Sequence, residues 1–312
     1  MGKQKIIIAG AGVMGASMAQ IYAQFGYNVT LYDLFPEAIV KGKDLIALNQ
    51  ESNVATGKMT AEQSSDLLAR IGYTSDMDCF ADADHVVEAI FERMDIKHDF
   101  WSKASAVVPK DAILASNTSG LSITEMAKSV VLPERFCGMH WINPPHLIPL
   151  VEIIRGEKTN DATVKAVYDY AVSVGKKPTH VNDAPGFVLN RLQFAILREA
   201  MHIVESGIAS IEDVDNTFKF GMGMRYAAVG PFEIADLGGL DTFYNIAAYL
   251  FPDLSDRKDV TPMLADLFKD GNYGVKSGKG YYDYSGGKDK DAIRHRDKMF
   301  IKLSRCLYSE SE

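Results

Sequence analysis

Cysteine is scarce in this chain. Only Cys79, Cys137 and Cys306 occur among 312 residues, and they show no paired spacing. A disulfide framework and a cysteine-ligated zinc site are both disfavoured by that pattern, and no metal ion is expected. No apolar run approaches the roughly eighteen residues that a membrane span needs, which argues against an integral membrane protein. Surplus basic charge is also missing: 33 Lys and Arg face 41 Asp and Glu, for a formal net charge of −8. With no basic stripe to neutralise a phosphate backbone, a nucleic-acid partner is disfavoured. The opening Met1-Gly2-Lys3-Gln4-Lys5-Ile6-Ile7-Ile8 has too short an apolar core for a signal peptide. Ile6 also occupies the position where a myristoylation pattern wants Ser or Thr. The expectation is a cytoplasmic protein that is bound to no membrane.

What is present is ordinary globular composition, 47% hydrophobic and 24% charged, at a length comfortable for two domains. The first half alternates short Ile- and Val-rich runs with helix-length segments. Lys5–Ala9, Asn28–Tyr32, His85–Glu88 and Ile113–Ser116 read as strands, followed by Arg135–Met139 and Leu150–Ile154. Between them Gly15–Phe25 ends at Gly26, and Thr60–Arg70 opens with a capping box, Thr60…Gln63. A further helix spans about Asp161 to Val174. Near-continuous apolar strands joined by helices predict a buried parallel sheet of βαβ units. After Asp183 the texture becomes helical, with Phe187–Glu205, Ile211–Lys219 and Phe232–Leu250 as helices. The chain therefore reads as an α/β domain over residues 1–184 followed by an all-α domain over residues 185–312.

The strand Lys5–Ala9 runs into Gly10-Ala11-Gly12-Val13-Met14-Gly15, a G-x-G-x-x-G loop that opens a helix. Gly10 permits the tight turn, Gly12 leaves room for a pyrophosphate, and Gly15 lets helix and strand pack closely. The helix N-terminus offers unpaired N–H groups to phosphate. Asp33 ends the second strand, twenty-one residues after Gly12, where an acid accepts hydrogen bonds from a ribose. It would also repel a 2′-phosphate, and no Arg follows in Leu34-Phe35-Pro36-Glu37. NAD is expected over NADP in a Rossmann-type domain. The motif alone leaves FAD open, and without the glycines Asp33 would read as a solvated carboxylate.

Four polar residues stand out further along. Ser119 follows the strand Ile113–Ser116 at a carboxyl end, the edge where open parallel sheets bind ligands; a plain turn residue is the alternative. His140 closes the strand beginning at Arg135, before the rigid turn Asn143-Pro144-Pro145. Glu152 lies inside the apolar run Leu150–Ile154, so it either faces solvent or needs a buried partner, with His140 a candidate. Asn190 shares a helical face with Phe187, Phe194 and Leu197 and requires a hydrogen-bond partner there, from substrate or from within the protein.

Taken in order, the motifs resemble the L-3-hydroxyacyl-CoA dehydrogenase family along nearly the whole chain. They are the Gly10/Gly12/Gly15 loop with Asp33, Val87-Glu88-Ala89-Ile90-Phe91-Glu92, Ser116-Asn117-Thr118-Ser119 and His140-Trp141-Ile142-Asn143-Pro144. Leu150-Val151-Glu152-Ile153, Pro185–Arg191, Gly230–Asp236 and Lys276–Tyr282 continue the series. The family's catalytic Ser, His, Glu and Asn match Ser119, His140, Glu152 and Asn190, at separations of 21, 12 and 38 residues. The resemblance implies reversible oxidation of an L-3-hydroxyacyl group to the 3-ketoacyl compound, with His140 as base and Glu152 orienting it. It places Gly10, Gly12, Val13, Met14, Gly15, Asp33, Ala89, Ile90, Glu92, Lys97, Asn117, Ser119, Asn143 and Lys279 at the NAD site.

Two departures concern coenzyme A. Family members that use it carry lysines after the second strand, whereas Asn49–Lys58 holds one lysine and one acid. The run Asn143-Pro144-Pro145-His146-Leu147-Ile148-Pro149 resembles the branch that oxidises free hydroxy acids such as gulonate or carnitine. A third possibility is an NAD-binding protein without turnover, like a lens crystallin; the intact Ser119, His140, Glu152 and Asn190 set argues against it. The partners expected are a small 3-hydroxyacyl or 3-hydroxy acid substrate and a second copy of the chain. Phe232–Leu237 and Phe243–Leu250 carry more apolar residues than one buried stripe requires, which predicts a homodimer through the helical domain.

Overall fold

The computed structural model describes residues 4–308. Met1–Lys3, part of the segment read as lacking a leader or lipidation signal, lie outside the described residues.

Ile6, Ile7 and Ile8 are all fully buried because their strand is covered on both faces. Ile6 and Ile8 enter one apolar cluster with Met18, Tyr22 and Leu31; Ile7 and Ala9 enter another with Phe80, Phe100 and Trp101. The strand is β1 (Lys5–Ala9), and α1 (Val13–Gln24), β2 (Asn28–Tyr32), α2 (Pro36–Ala55), α3 (Ala61–Leu68) and β3 (Ile71–Thr74) follow. The chain then forms β4 (His85–Glu88), α4 (Met94–Val107), β5 (Ile113–Ser116), α5 (Ile123–Met126), β6 (Phe136–Trp141), β7 (Leu150–Arg155), α6 (Asp161–Ser173) and β8 (Lys177–Asn182). The sheet order is β3-β2-β1-β4-β5-β6-β7-β8. Every pairing is parallel except β6 with β7. This is a Rossmann-type α/β sheet followed by a helical region. The Thr60…Gln63 capping box forms in full, with both reciprocal bonds made.

The elements that apolar runs do not reveal lie at the sheet's edges. β3, Ile-Gly-Tyr-Thr, and β8, Lys-Pro-Thr-His-Val-Asn, are the outermost strands; β3 is half-buried and β8 largely exposed. An edge strand needs few apolar residues, and it tolerates Pro178, which has no N–H to donate.

The chain divides into a first unit ending at Arg191 and a second beginning at Leu192. α7 (Leu189–Glu205) starts within the first unit and carries the chain into the second, which continues with α8 (Ile211–Thr217), α9 (Gly223–Ala228), α10 (Pro231–Gly238), α11 (Leu240–Leu250), α12 (Pro262–Lys269) and α13 (Lys288–Tyr308). The continuous helix expected over Phe232–Leu250 is two helices. Gly239 at φ +89° breaks it, and a Cβ on Gly238 would lie 2.6 Å from the Phe243 ring. Met201, Ile234 and Thr261 are the only buried residues of the second unit among those described.

Candidate active site

The glycine loop has the shape a dinucleotide requires. A Cβ on Gly10, which sits at φ +111°, would lie 2.4 Å from the Ala89 carbonyl, and one on Gly15 would lie 1.8 Å from the Gly10 carbonyl. No atom comes within 4 Å of a Cβ built on Gly12, so that position opens onto free space. Gly12 is the N-cap of α1, no side chain caps the helix, and its first turn holds no acid. Val13 is 64% exposed there, with Met14 partly buried behind it. An anion therefore meets free N–H groups and the positive end of the helix dipole without competition. Asp33 folds back onto this loop: Oδ2 accepts the Ala11 N–H at 2.8 Å, and Oδ1 accepts the Phe35 N–H at 3.0 Å. These residues fit NAD.

At the carboxyl end of β4 lies a buried charge network. Glu88 is fully buried and pairs in the sheet with Ser116. Its Oε2 accepts the Ser116 hydroxyl at 2.7 Å and the Trp101 indole N–H at 3.3 Å. Oε1 accepts the Ile90 N–H at 2.9 Å and lies 2.5 Å from Lys97 Nζ. Lys97 is 1% exposed and also pairs with Glu92 at 3.2 Å. Burial of this lysine is tolerable only because two carboxylates face it. The motif Val87–Glu92 thus turns inward at Glu88 and outward at Glu92.

The antiparallel pairing of β6 and β7 sets His140 directly opposite Glu152. Residues opposite each other project from the same face, so the register itself joins them. Nδ1 of His140 lies 2.8 Å from Glu152 Oε2, with both side chains buried. Glu152 is 1% exposed, which rules out the solvent-facing alternative. Its other oxygen, Oε1, accepts the N–H groups of Val188 at 3.0 Å and Leu189 at 2.9 Å, at the start of α7. Burial by itself would push the Glu152 carboxyl up, but His140 and those two N–H groups hold it below its ordinary value. A carboxylate of this kind keeps the proton on Nδ1 and leaves Nε2 as the basic nitrogen. Phe187 closes over the imidazole with ring centroids 5.7 Å apart; it is 1% exposed and sits at φ +50°. A non-glycine residue at positive φ costs backbone energy.

Asn190 is the second residue of α7 and not an interior helix residue, since the helix begins at Leu189. Its Nδ2 donates to the Ser119 carbonyl at 2.8 Å. The Ser119 N–H donates to Glu92 Oε1 at 2.7 Å, and among the described residues the Ser119 hydroxyl has no partner. Asn117 Oδ1 accepts the Trp141 N–H at 2.8 Å, tying the Ser119 loop to the residue after His140. Ser119, Asn190, Glu152 and His140 are therefore joined by bonds around one end of the sheet. Asn143 is exposed beside the cis Asn143–Pro144 bond. Ala89 and Ile90 line the turn against Gly10. Lys279 belongs to the second unit, where it bridges Gly274 and Asp283. Two supporting residues escape a sequence reading: Phe187, whose backbone strain has no local signature, and Lys176. The latter donates to the Pro145 and Ile148 carbonyls and lies 5.1 Å from the Trp141 ring centroid, holding the loop after His140.

A dinucleotide loop and an imidazole–carboxylate pair on one sheet edge belong to a nicotinamide-dependent dehydrogenase. The comparisons place it further. Residues 5–184 match the model of the 3-hydroxyacyl-CoA dehydrogenase NAD-binding domain, and residues 186–284 that family's C-terminal domain. The chain belongs to the 3-hydroxyacyl-CoA dehydrogenase family and is an NAD-dependent dehydrogenase. It is 36% identical over 306 residues to 5-formyl-3-hydroxy-2-methylpyridine 4-carboxylate 5-dehydrogenase of Mesorhizobium japonicum, covering 97% of this chain and 98% of that one. It is 40% identical over 281 residues to a probable 3-hydroxybutyryl-CoA dehydrogenase of Deinococcus radiodurans, covering 90% of this chain and 100% of that one. A crystal structure of the same pyridine-carboxylate enzyme activity, described as an NAD+-dependent dismutase, superposes with a TM-score of 0.90 at 35% identity. That match covers 99% of this chain and 100% of that one. No helix among the described residues is long and apolar enough to cross a membrane.

Proposed function

We propose that the protein oxidises the secondary alcohol of an L-3-hydroxyacyl group to the ketone, and runs the reverse reaction. The buried pair of His140 and Glu152, 2.8 Å apart, carries this reading. NAD supplies the hydride acceptor when bound. Nε2 of His140 takes the hydroxyl proton, and Glu152 orients the ring and stabilises the imidazolium that forms. The free Ser119 hydroxyl holds the reacting oxygen, with Asn190 beside it. Asp33, Gly10, Gly12, Gly15, Ala89, Ile90, Glu92, Asn117, Asn143 and Lys279 are proposed to line or approach the cofactor.

The first substrate reading is a coenzyme A ester, as the names of the 3-hydroxybutyryl-CoA relatives suggest. The second, a free hydroxy acid, is favoured by the lysine-poor segment Asn49–Lys58 and by the full-length likeness to an enzyme named for a pyridine carboxylate. Turnover of 3-hydroxybutyryl-CoA, followed as NADH absorbance, against free 3-hydroxy acids and 5-formyl-3-hydroxy-2-methylpyridine 4-carboxylate decides between them. Wild-type protein that forms NADH with none of these overturns the reading altogether.

The active assembly is proposed to be a cytoplasmic homodimer joined through the second unit. Support comes from its exposed aromatic and aliphatic residues, among them Phe232 at 86% and Leu237 at 79%. Light scattering should return twice 34.3 kDa at micromolar concentration; a monomer overturns the dimer.

A further inference from the structure

Phe187 breaks a local rule. It sits at φ +50°, directly after Gly186 at φ +75°, so two successive residues take the left-handed region. That region is disfavoured for a side chain with a Cβ, and local conformation alone would ask for glycine or asparagine. The exception is not a loose loop: Phe187 is 1% exposed and packs in the apolar cluster of Ile123, Phe136 and Ile154. Its N–H donates to the Ala184 carbonyl at 3.0 Å, which closes the turn. The next two N–H groups, of Val188 and Leu189, both donate to Glu152 Oε1, at 3.0 and 2.9 Å. Successive N–H groups that converge on one oxygen form a small anion-holding concavity, which needs a left-handed residue beside a helical one. The ring of the same residue lies 5.7 Å from the imidazole of His140, centroid to centroid. One residue thus touches both halves of the buried pair: its ring meets His140, and its backbone aims the start of α7 at Glu152.

We propose that Phe187 is a positioning residue, whose left-handed backbone fixes the Glu152 carboxylate against His140 and whose buried ring holds that backbone in place. The inference rests on the functional reading above for the role of the pair. Glu152 Oε2 faces His140, so Oε1 is left to anchor the carboxylate, and the two N–H groups that anchor it follow Phe187 directly. Those bonds also keep the carboxyl charged in spite of its burial. With the ring removed, the turn depends on what residue 187 itself prefers. Alanine disfavours the left-handed region about tenfold, whereas glycine enters it freely. A position that served packing alone would rank the two the other way, because glycine adds chain freedom to the same lost volume.

The test compares Phe187→Gly with Phe187→Ala, which empty nearly the same space and differ in backbone preference. Hydrogen–deuterium exchange of the peptide containing Gly186–Asn190 reads the turn, and kcat reads the pair. Phe187→Ala should speed exchange at Val188 and Leu189 and lower kcat about ten- to a hundredfold. Phe187→Gly should exchange more slowly than Phe187→Ala there and turn over at least about fivefold faster. Phe187→Leu, which keeps apolar bulk at the turn, should restore slow exchange. Should the Phe187 variants fail to fold, Gly186→Ala and Gly186→Asn pose the same question with the core intact. A Cβ on Gly186 meets nothing closer than 3.6 Å, so backbone preference separates alanine from asparagine, which tolerates the left-handed region. Gly186→Ala should then show the faster exchange and the lower kcat. An alanine variant that matches or betters its glycine or asparagine counterpart in either readout overturns the proposal and leaves Phe187 as a packing residue. Wild-type protein inactive on every substrate would sink the functional reading, and the exchange comparison alone would then judge the turn.

Discussion

The two units of this chain solve burial differently. In the first, the central strands of an eight-stranded sheet are covered on both faces, and Ile6, Ile7, Ile8, Trp101, Phe136 and Ile153 reach zero exposure. In the second, a run of helices buries Met201 and Ile234 and leaves Phe220, Phe232, Leu237, Tyr244 and Phe251 at 70% exposure or more. A sheet flanked by helices closes its own core. Helices apolar around much of their circumference do not, and need a second surface. The first unit thus has the makings of a self-sufficient scaffold for chemistry, and the second those of an interface.

That contrast is open to attack, and the largest effect should come from the pair proposed to be catalytic in the first unit, His140 and Glu152. His140→Ala should lower kcat about 10³- to 10⁴-fold, and Glu152→Gln about 10²-fold, because general-base catalysis contributes about this much. Both should keep NADH affinity and the mass seen by light scattering. An altered oligomer in either variant would show that the two units are not separable in this way.

Next in size is a stability comparison between the units. Ile8→Ala empties part of a closed core and should cost about 2–5 kcal/mol in denaturant unfolding. Phe232→Asp with Leu240→Asp should instead yield a monomer in light scattering while leaving NADH binding in place. Equal loss of cofactor binding in both proteins would erase the distinction.

The smallest effect sharpens the first unit alone. Burial pushes the Lys176 ammonium down from its ordinary value to about 8. Between that value and about 10.4 the unfolded chain binds the proton and the folded chain does not. Stability therefore gains a rising contribution with pH across that window, at most about 1.4 kcal/mol per pH unit. Lys176→Met should remove that slope in unfolding measured from pH 8 upward; an identical slope in the variant would return Lys176 to a solvated role. Glu152 works in the opposite window: its depressed carboxyl stabilises the fold above the ordinary carboxylate value, and that contribution is lost as pH falls through the folded one.

Much of the first unit is legible in the linear chain. Apolar runs of four or five residues locate the central strands β1, β2, β4 and β5, because a strand covered on both faces has no polar side to interrupt it. The edge strands β3 and β8 escape the same rule, since solvent or a neighbouring loop satisfies one side of each. The glycine loop is equally legible: a chain that must pass 2.4 Å from where a Cβ on Gly10 would sit admits no other residue there. Gly238-Gly239, in contrast, reads as tolerable inside a helix until the Phe243 ring is placed against it.

By itself, then, the sequence determined the central strands, the dinucleotide loop and the residue types from which a dehydrogenase is built. These depend on local periodicity and on backbone conformations that single residues allow or forbid. Only the tertiary structure decided that His140 and Glu152 are partners, because it reverses the chain between β6 and β7 and sets them in register. It alone buried Lys97 between Glu88 and Glu92, and it alone brought Asn190 to the carbonyl of Ser119, 71 residues away. Such pairings follow from strand direction and from which surfaces are withdrawn from water, and neither is written in any local stretch of chain.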